Sequence, residues 1–276
     1  MKLKEVTKDN YYSWTGHLSN SFMKSFKDCQ FAAIQKYIHE AKDEQKQCFA
    51  EGHIVESYIT NGPDDWEKDV ERYLPVMKGK TGKFYKWVTD LFVAGERVRN
   101  DPFVMSFIDQ PGNEFQKIYT FEIGGVMWKA ALDVMNEKQK WFADIKTTAK
   151  HFFDEFWVKD PLTGKNKKVK FIDAFNYWQQ MAVYAEACRQ NVSEECTPYL
   201  IPVTKTNPAD CVVFDMRSNR YEEIISEMEI LAPYAMKVIE GEIEPTKCGE
   251  CSHCLKARVN TKAIDANKFC NFEKVI

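Results

Sequence analysis

Three strand-like stretches run almost end to end through the middle of this chain, and they constrain its fold more than any other feature. Gln116–Ile123, Val126–Met135 and Lys140–Thr147 are separated only by Gly124-Gly125 and by Asn136-Glu137-Lys138-Gln139. Short polar or glycine breaks between such runs are hairpin signals, so an antiparallel meander is expected. The flanks read as helical. Upstream, Phe22, Phe26, Phe31, Ile34 and Ile38 predict a helix from Ser19 to about Glu44, with Ser19 or Ser21 as its N-cap. A second helix is expected from about Cys48 to Tyr58, stopped by Asn61-Gly62-Pro63. Asp64 and Asp65 open a polar helix, and Lys83–Arg97 reads as another, after a flexible joint at Gly79-Lys80-Thr81-Gly82. Downstream, a short aromatic helix is expected around Phe152–Trp157, then a basic loop at 164–168 and a long amphipathic helix over Ile172–Gln190. Strands near Pro198–Thr204 and Cys211–Met216 precede a last helix from Ser218 to Glu240. The expected class is mixed α/β: a small central mixed sheet flanked by helices, after a helical N-terminal part.

Composition narrows the function. Hydrophobic residues make up 44% of the 276 and aromatics 14%, enough to bury a core and to exclude global disorder. Thirty-eight basic against 41 acidic residues give a formal charge of −3, which excludes a histone-like polycation. An anionic partner must be met by a local patch. The densest positive run is Lys165, Lys167, Lys168 and Lys170. It reads either as phosphate-contacting DNA-binding residues or as a solvated loop. No apolar run approaches the ~18 residues of a membrane span. No hydrophobic stretch follows the charges of Met1–Val6, so a soluble, cytoplasmic protein without a membrane partner is expected.

The segment richest in chemistry is Leu132-Asp133 followed by Ala143-Asp144-Ile145-Lys146-Thr147-Thr148. Residues two apart on a strand share a face, so Asp144 and Lys146 project together while Ala143 and Ile145 face the core. With a two-residue loop at Lys138-Gln139, Asp133 falls opposite Asp144. Two carboxylates and an ammonium then share a patch only ~5 Å across. Carboxylates that close repel unless one is protonated or a cation lies between them. Hard oxygen donors suit Mg²⁺ or Mn²⁺. On pattern alone, a surface salt bridge accounts for the string equally well.

These residues resemble the PD-(D/E)XK nuclease superfamily, and more narrowly the phage exonucleases of the RecE type and RecB-family nuclease domains. Other pieces fall in the family's order. Gly52-His53-Ile54-Val55-Glu56 sits where these nucleases carry an acidic residue or histidine. Gln180-Met181-Ala182-Val183-Tyr184 matches their Gln-x-x-x-Tyr helix, and Leu18–Ser21 with Phe26–Cys29 resembles their opening helix. Gln30 and Leu132 stand where the family pattern has proline. The resemblance implies a restriction-endonuclease-like core and a Mg²⁺-dependent phosphodiesterase. Its catalytic set would be Asp133, Asp144, Lys146, Glu56, Gln180 and Tyr184, with Asp133, Asp144, Glu56 and the Ile145 carbonyl on the metal. It divides the chain into a helical part over 1–112 that carries the first motif and Glu56, a nuclease core over 113–240, and a cysteine-rich segment over 241–276, integrated as one domain. His53 reads as structural, and Glu122 is a weaker acidic candidate. The aromatics Phe152, Phe153, Phe156 and Trp157 fit core packing better than base stacking.

Nine cysteines in a chain without a secretory signal argue against a disulfide framework. Cys248, Cys251 and Cys254 form overlapping Cys-x-x-Cys units, with Cys270 further on. Such units bring thiolates to one metal, as in zinc and iron–sulfur sites. RecB-family and CRISPR-adaptation nucleases hold a 4Fe–4S cluster with one cysteine in the opening helix and three near the C-terminus, and Cys29 stands at the first of those positions. The expectation is a clasp of Cys29 with Cys248, Cys251 and Cys254, Cys270 as a substitute, around 4Fe–4S or Zn²⁺. The resemblance points to an exonuclease on linear double-stranded DNA in phage-type recombination, in a bacterial or phage-infected cell, with a single-strand annealing protein as partner and a ring-like homo-oligomer. Alternatives are an iron–sulfur nuclease of the CRISPR-adaptation or helicase-associated kind, and a non-catalytic nucleic-acid-binding module.

Overall fold

A computed structural model describes residues 3–39, 47–160 and 163–259. The first part is helical: α1 (Asn20–Asp28), α2 (Gln30–Ala33), α3 (Gln47–Asn61), α4 (Glu67–Val70), α5 (Leu74–Met77), α6 (Lys86–Arg99) and α7 (Pro102–Ile108). The meander follows as β1 (Asn113–Ile123), β2 (Val126–Asn136) and β3 (Trp141–Thr148), then a separate hairpin of β4 (Glu155–Lys159) and β5 (Asn166–Lys170). After α8 (Phe171–Ala174) and α9 (Tyr177–Val192) come β6 (Thr197–Thr204), β7 (Phe214–Asp215), α10 (Tyr221–Ile239) and α11 (Ser252–Lys256).

The central sheet has the order β1-β2-β3-β6-β7. It is mixed, because β6 runs parallel to β3 along the whole of β3 while the other neighbours are antiparallel. The parallel pair requires a crossover, which α8 and α9 supply. Helices cover both faces, as a sheet apolar on both sides demands. On one face Phe142 and Leu200 pack with Phe22 and Phe26 of α1, Met181 of α9 and Met228 of α10. On the other, Ala143, Ile145, Ile201 and Val203 pack with Ile54 of α3, Leu91 of α6 and Val104 of α7. The pleat therefore sends Asp144 and Lys146, between those alternating residues, toward the layer of α1 and α9. Trp128 and Leu132 of β2 are fully buried, each worth roughly 1.5–3 kcal/mol of apolar burial. Gly124, at φ 62 in the β1–β2 turn, packs so close to α10 that a Cβ would strike the backbone of Glu229.

Several local expectations change. Ser19 does cap α1, its Oγ accepting from Phe22 N–H at 3.2 Å, but the helix breaks at Cys29, which is extended. The chain then resumes as α2 and a π-helical turn at Ile34–Ile38; the rest of the expected helix lies outside the described residues. The segment expected as an aromatic helix is strand β4, and the basic loop is its partner β5. Alternation decides it: Phe156 and Val158 turn inward with Val169, while Glu155, Trp157 and Lys159 point out. Asn176, in the left-handed region at φ 51, divides the long helix into α8 and α9. The joint at Gly79–Gly82 is a closed turn, with Lys78 bridged to Phe84.

Candidate active site

β2 and β3 pair at Val134↔Ala143, Met135↔Phe142 and Asn136↔Trp141, a register that sets Asp133 opposite Asp144. The turn spans Glu137–Lys140, longer than the loop expected, with Lys140 at φ 58, and it keeps the same opposition. Beyond Val134 the backbone ladder gives way to a side chain: the Ile145 N–H donates to Asp133 Oδ2 at 2.8 Å. That bond fixes Asp133 against the strand that carries Asp144 and Lys146.

Lys146 Nζ lies 2.6 Å from Asp144 Oδ2 and 3.6 Å from Asp133 Oδ2, and donates to the Ile145 carbonyl at 3.2 Å. Asp144 is 1% exposed. Its Oδ1 accepts from Gln180 Nε2 at 2.7 Å, whereas its Oδ2 has the ammonium alongside but no hydrogen bond of good geometry. Burial pushes the Asp144 carboxyl up to about 7, against the pull of Lys146 and with reinforcement from Asp133. Burial opposes charge on Lys146, but Asp144 and then Asp133 outweigh it and hold the ammonium above the usual lysine range.

Glu56 arrives from α3. Burial, then the charge of Asp133, raises its carboxyl well above the usual range, with Lys146 opposing. What holds it is Gln116, whose Nε2 donates both to Glu56 Oε1 and to Asp133 Oδ1, the latter at 3.1 Å. The β1–β2 register, with Phe115↔Val134 and Lys117↔Leu132, places Gln116 across from Asp133, and its φ of 52 turns it out of the ladder. His53 lies 4.0 Å from Glu56 and stacks on Tyr73. Tyr184, one turn after Gln180 on α9, faces that glutamine, and burial raises its hydroxyl. A cavity of about 510 Å³ opens onto Glu56 and Gln116, lined also by Lys8, Tyr11, Tyr12 and His53.

Gln116 and Lys24 were not among the sequence candidates. Cross-strand counting from Gly124-Gly125 would have found Gln116 as the residue facing Asp133. Lys24 is in a polar stripe of Asn20, Lys24 and Lys27, on a helix that buries Phe22, Met23 and Phe26. Asn20 and Lys27 both hydrogen-bond Gln179 of α9, and Lys24 donates to the Phe175 carbonyl. Burial, then the charge of Lys146, lowers Lys24 to about 8.

Other candidates lie elsewhere. Lys165, Lys167, Lys168 and Lys170 are exposed on and before β5, but Lys167 pairs with Asp160 at 2.8 Å and Lys168 with Glu155 at 3.6 Å. Lys170 donates to the Phe153 carbonyl. Phe152 is buried, while Phe153 and Trp157 are more than 60% exposed. Glu122 is exposed at the far end of β1, its N–H bonded to Gln190. The sulfurs of Cys29, Cys248, Cys251 and Cys254 lie within 4.8 Å of one another; Cys270 is outside the described residues.

A profile of the family described as a PDDEXK-like domain of unknown function (DUF3799) matches residues 19–257. Among solved structures, the crystal structure of a "Putative exonuclease" from Eubacterium rectale superposes with a TM-score of 0.83 and 26% identity, over 98% of this chain and 99% of that one. The structure of SSO0001 aligns with a TM-score of 0.29 and 13% identity over 86% and 92%, and carries no weight. No curated protein matches the sequence. No described helix is long and apolar enough to cross a membrane.

Proposed function

The chain belongs to the PDDEXK-like domain family DUF3799 and is a nuclease of the PD-(D/E)XK superfamily, and on that premise we propose that it is a divalent-metal-dependent exonuclease acting on the ends of linear double-stranded DNA. One observation carries the reading: Asp133 of β2 and Asp144 and Lys146 of β3 converge on one sheet face, with the Ile145 carbonyl 3.2 Å from Lys146 Nζ. The donor set fits Mg²⁺ or Mn²⁺, because Asp133, Asp144, Glu56 and the Ile145 carbonyl offer only hard oxygens. The buried Oδ2 of Asp144 has only the Lys146 ammonium beside it, at 2.6 Å, so a bound metal would share that oxygen with the ammonium. Bound there, the metal would polarise the phosphodiester and lower the pKa of an attacking water.

The chain's own residues do the rest. Gln180 fixes the rotamer of Asp144, and the Ile145 N–H fixes that of Asp133. Gln116 couples Glu56 to Asp133, so the helix and hairpin present their carboxylates as one unit. Lys146 carries a positive charge that faces negative charge growing on the phosphate in the transition state. Tyr184 supports Gln180 from the next turn of α9. The exposed lysines of the β4–β5 hairpin, Lys165 and Lys170 in particular, supply phosphate contacts along the duplex.

The likeness to the Eubacterium rectale structure, described as that of an exonuclease, supports the exonuclease direction. A phage-recombination setting, with a single-strand annealing protein as partner and a homo-oligomeric ring, belongs to the same proposal and rests on the order of the sequence motifs. Linear, covalently closed and single-stranded DNA, each with and without Mg²⁺, test it. Degradation of the linear duplex alone, only with metal, is expected; cleavage of closed circles at the same rate would make the enzyme an endonuclease.

A further inference from the structure

Cys29, Cys248, Cys251 and Cys254 come from the two ends of the described chain, yet their sulfurs meet. Cys29–Cys254 is 3.6 Å, and Cys248–Cys254 and Cys29–Cys251 are each 3.9 Å. Disulfide sulfurs stand ~2.05 Å apart, so these are separate thiols. A single tetrahedral ion with metal–sulfur bonds of ~2.3 Å sets its ligands ~3.8 Å from one another. In a four-iron cube each thiolate has its own iron, so the separation of the irons is added between the sulfurs. All six separations lie within 4.8 Å, close to the spacing around one ion and short of that around a cube.

Hydrogen bonding points independently to thiolates that hold a metal. The Cys251 N–H donates to Cys248 Sγ at 3.3 Å, the Cys254 N–H to Cys251 Sγ at 3.5 Å, and the Ala32 N–H to Cys29 Sγ at 3.5 Å. Amides aimed at sulfur favour thiolates over thiols, and clustered thiolates need a cation. Gly249, at φ 78, lets the Cys248–Cys251 loop fold back so that this amide reaches the sulfur. Four thiolates leave no open coordination position, the mark of a structural site, and soft sulfur donors reject Mg²⁺.

We propose that these four cysteines hold one structural zinc ion, in place of the iron–sulfur cluster implied by the RecB-family resemblance. The site ties the end of α1 to the segment that leads into α11. Around it the Phe31 N–H donates to the Thr246 carbonyl and the Thr246 N–H to Gln30 Oε1, both at 3.0 Å. Because α1 also contacts α9 through Asn20 and Lys27, the zinc would brace the layer that bears Gln180.

The full chain should be purified anaerobically from cells supplied with both iron and zinc. One zinc per chain, no acid-labile sulfide and no colour are expected. Exchange with Co²⁺ should give the intense visible absorption of a tetrahedral thiolate site, lost in Cys251→Ser. Metal-stripped protein given ferrous iron and sulfide should hold no brown chromophore after desalting, yet take up zinc. Iron and sulfide at about four each per chain, as isolated or after reconstitution, would overturn the proposal, and so would wild-type protein that binds neither zinc nor cobalt. If Cys251→Ser is insoluble, the metal content and cobalt spectrum of the wild type decide alone.

Discussion

The molecule has two dense polar clusters of opposite character. The carboxylate cluster is made mostly by one hairpin, carries its own ammonium in Lys146, and is closed by glutamines from β1 and α9. The thiol cluster joins Cys29 to residues more than 200 positions away, and backbone amides point at its sulfurs. Hard oxygens with a neighbouring cation are suited to bind a metal that must also meet a substrate. Four soft donors that surround one point are suited to hold a metal away from substrate. The difference separates chemistry from bracing: damage to the first should remove activity with the fold intact, and damage to the second should do the reverse.

The largest effect should follow from Asp144→Ala, with hydrolysis reduced by about 10³-fold or more under single-turnover conditions, because a metal ligand and the partner of Lys146 go together. Lys146→Ala should cost about 10²–10³-fold while DNA binding in Ca²⁺ is retained. Gln116→Ala and Gln180→Ala should each weaken Mg²⁺ activation by about 10–100-fold with a smaller loss at saturating metal, since both hydrogen-bond a carboxylate that would hold the metal. In contrast, Cys251→Ser should lower Tm by about 10 °C or more and leave hydrolysis at low temperature within a few-fold of wild type. Equal losses of activity and Tm in both classes of variant would erase the distinction.

The smallest expected effect concerns pH. The Asp144 carboxyl is raised to about 7 when folded, and Glu56 is raised as well, so metal-free protein binds more protons folded than unfolded above the usual carboxylate range. Their contribution to stability is present below the unfolded pKa of ~4 and is lost as pH rises through ~7. In EDTA, melting at pH 7.5 should therefore fall below that at pH 5.5 by more in wild type than in Asp144→Asn. Mg²⁺ should narrow the gap by stabilising the ionised carboxylates. A pH dependence identical in wild type and Asp144→Asn would contradict this assignment of the raised carboxyl.

Legibility from sequence followed locality. The opposition of Asp133 and Asp144 was readable because strand alternation and a turn length fix it. The fold class followed from the meander and its helical flanks. Gln116 was equally accessible to cross-strand counting, but a glutamine carries no chemical signal of its own. The β4–β5 hairpin is hard to read because Phe152, Phe153, Phe156 and Trp157 suggest a helical face until the alternation from Glu155 to Lys159 is set against it. The break at Cys29 carries no glycine or proline to mark it, whereas Asn176 is of the residue type that, after glycine, most readily takes the left-handed region. The meeting of Cys29 with Cys254 depends on how helices pack across the whole chain, which periodicity does not encode; the family resemblance alone joined Cys29 to the C-terminal cysteines.

The central claim is that the Asp133–Asp144–Lys146 face hydrolyses DNA with a divalent metal. It is tested most directly by wild type and Lys146→Ala, purified in parallel free of host nucleases, on end-labelled linear duplex DNA in Mg²⁺ and in EDTA. The account predicts release of label by wild type in Mg²⁺ only, and at least about 10²-fold slower release by the variant, with its melting curve unchanged. Release by Lys146→Ala at the wild-type rate, or by wild type in EDTA, would contradict it.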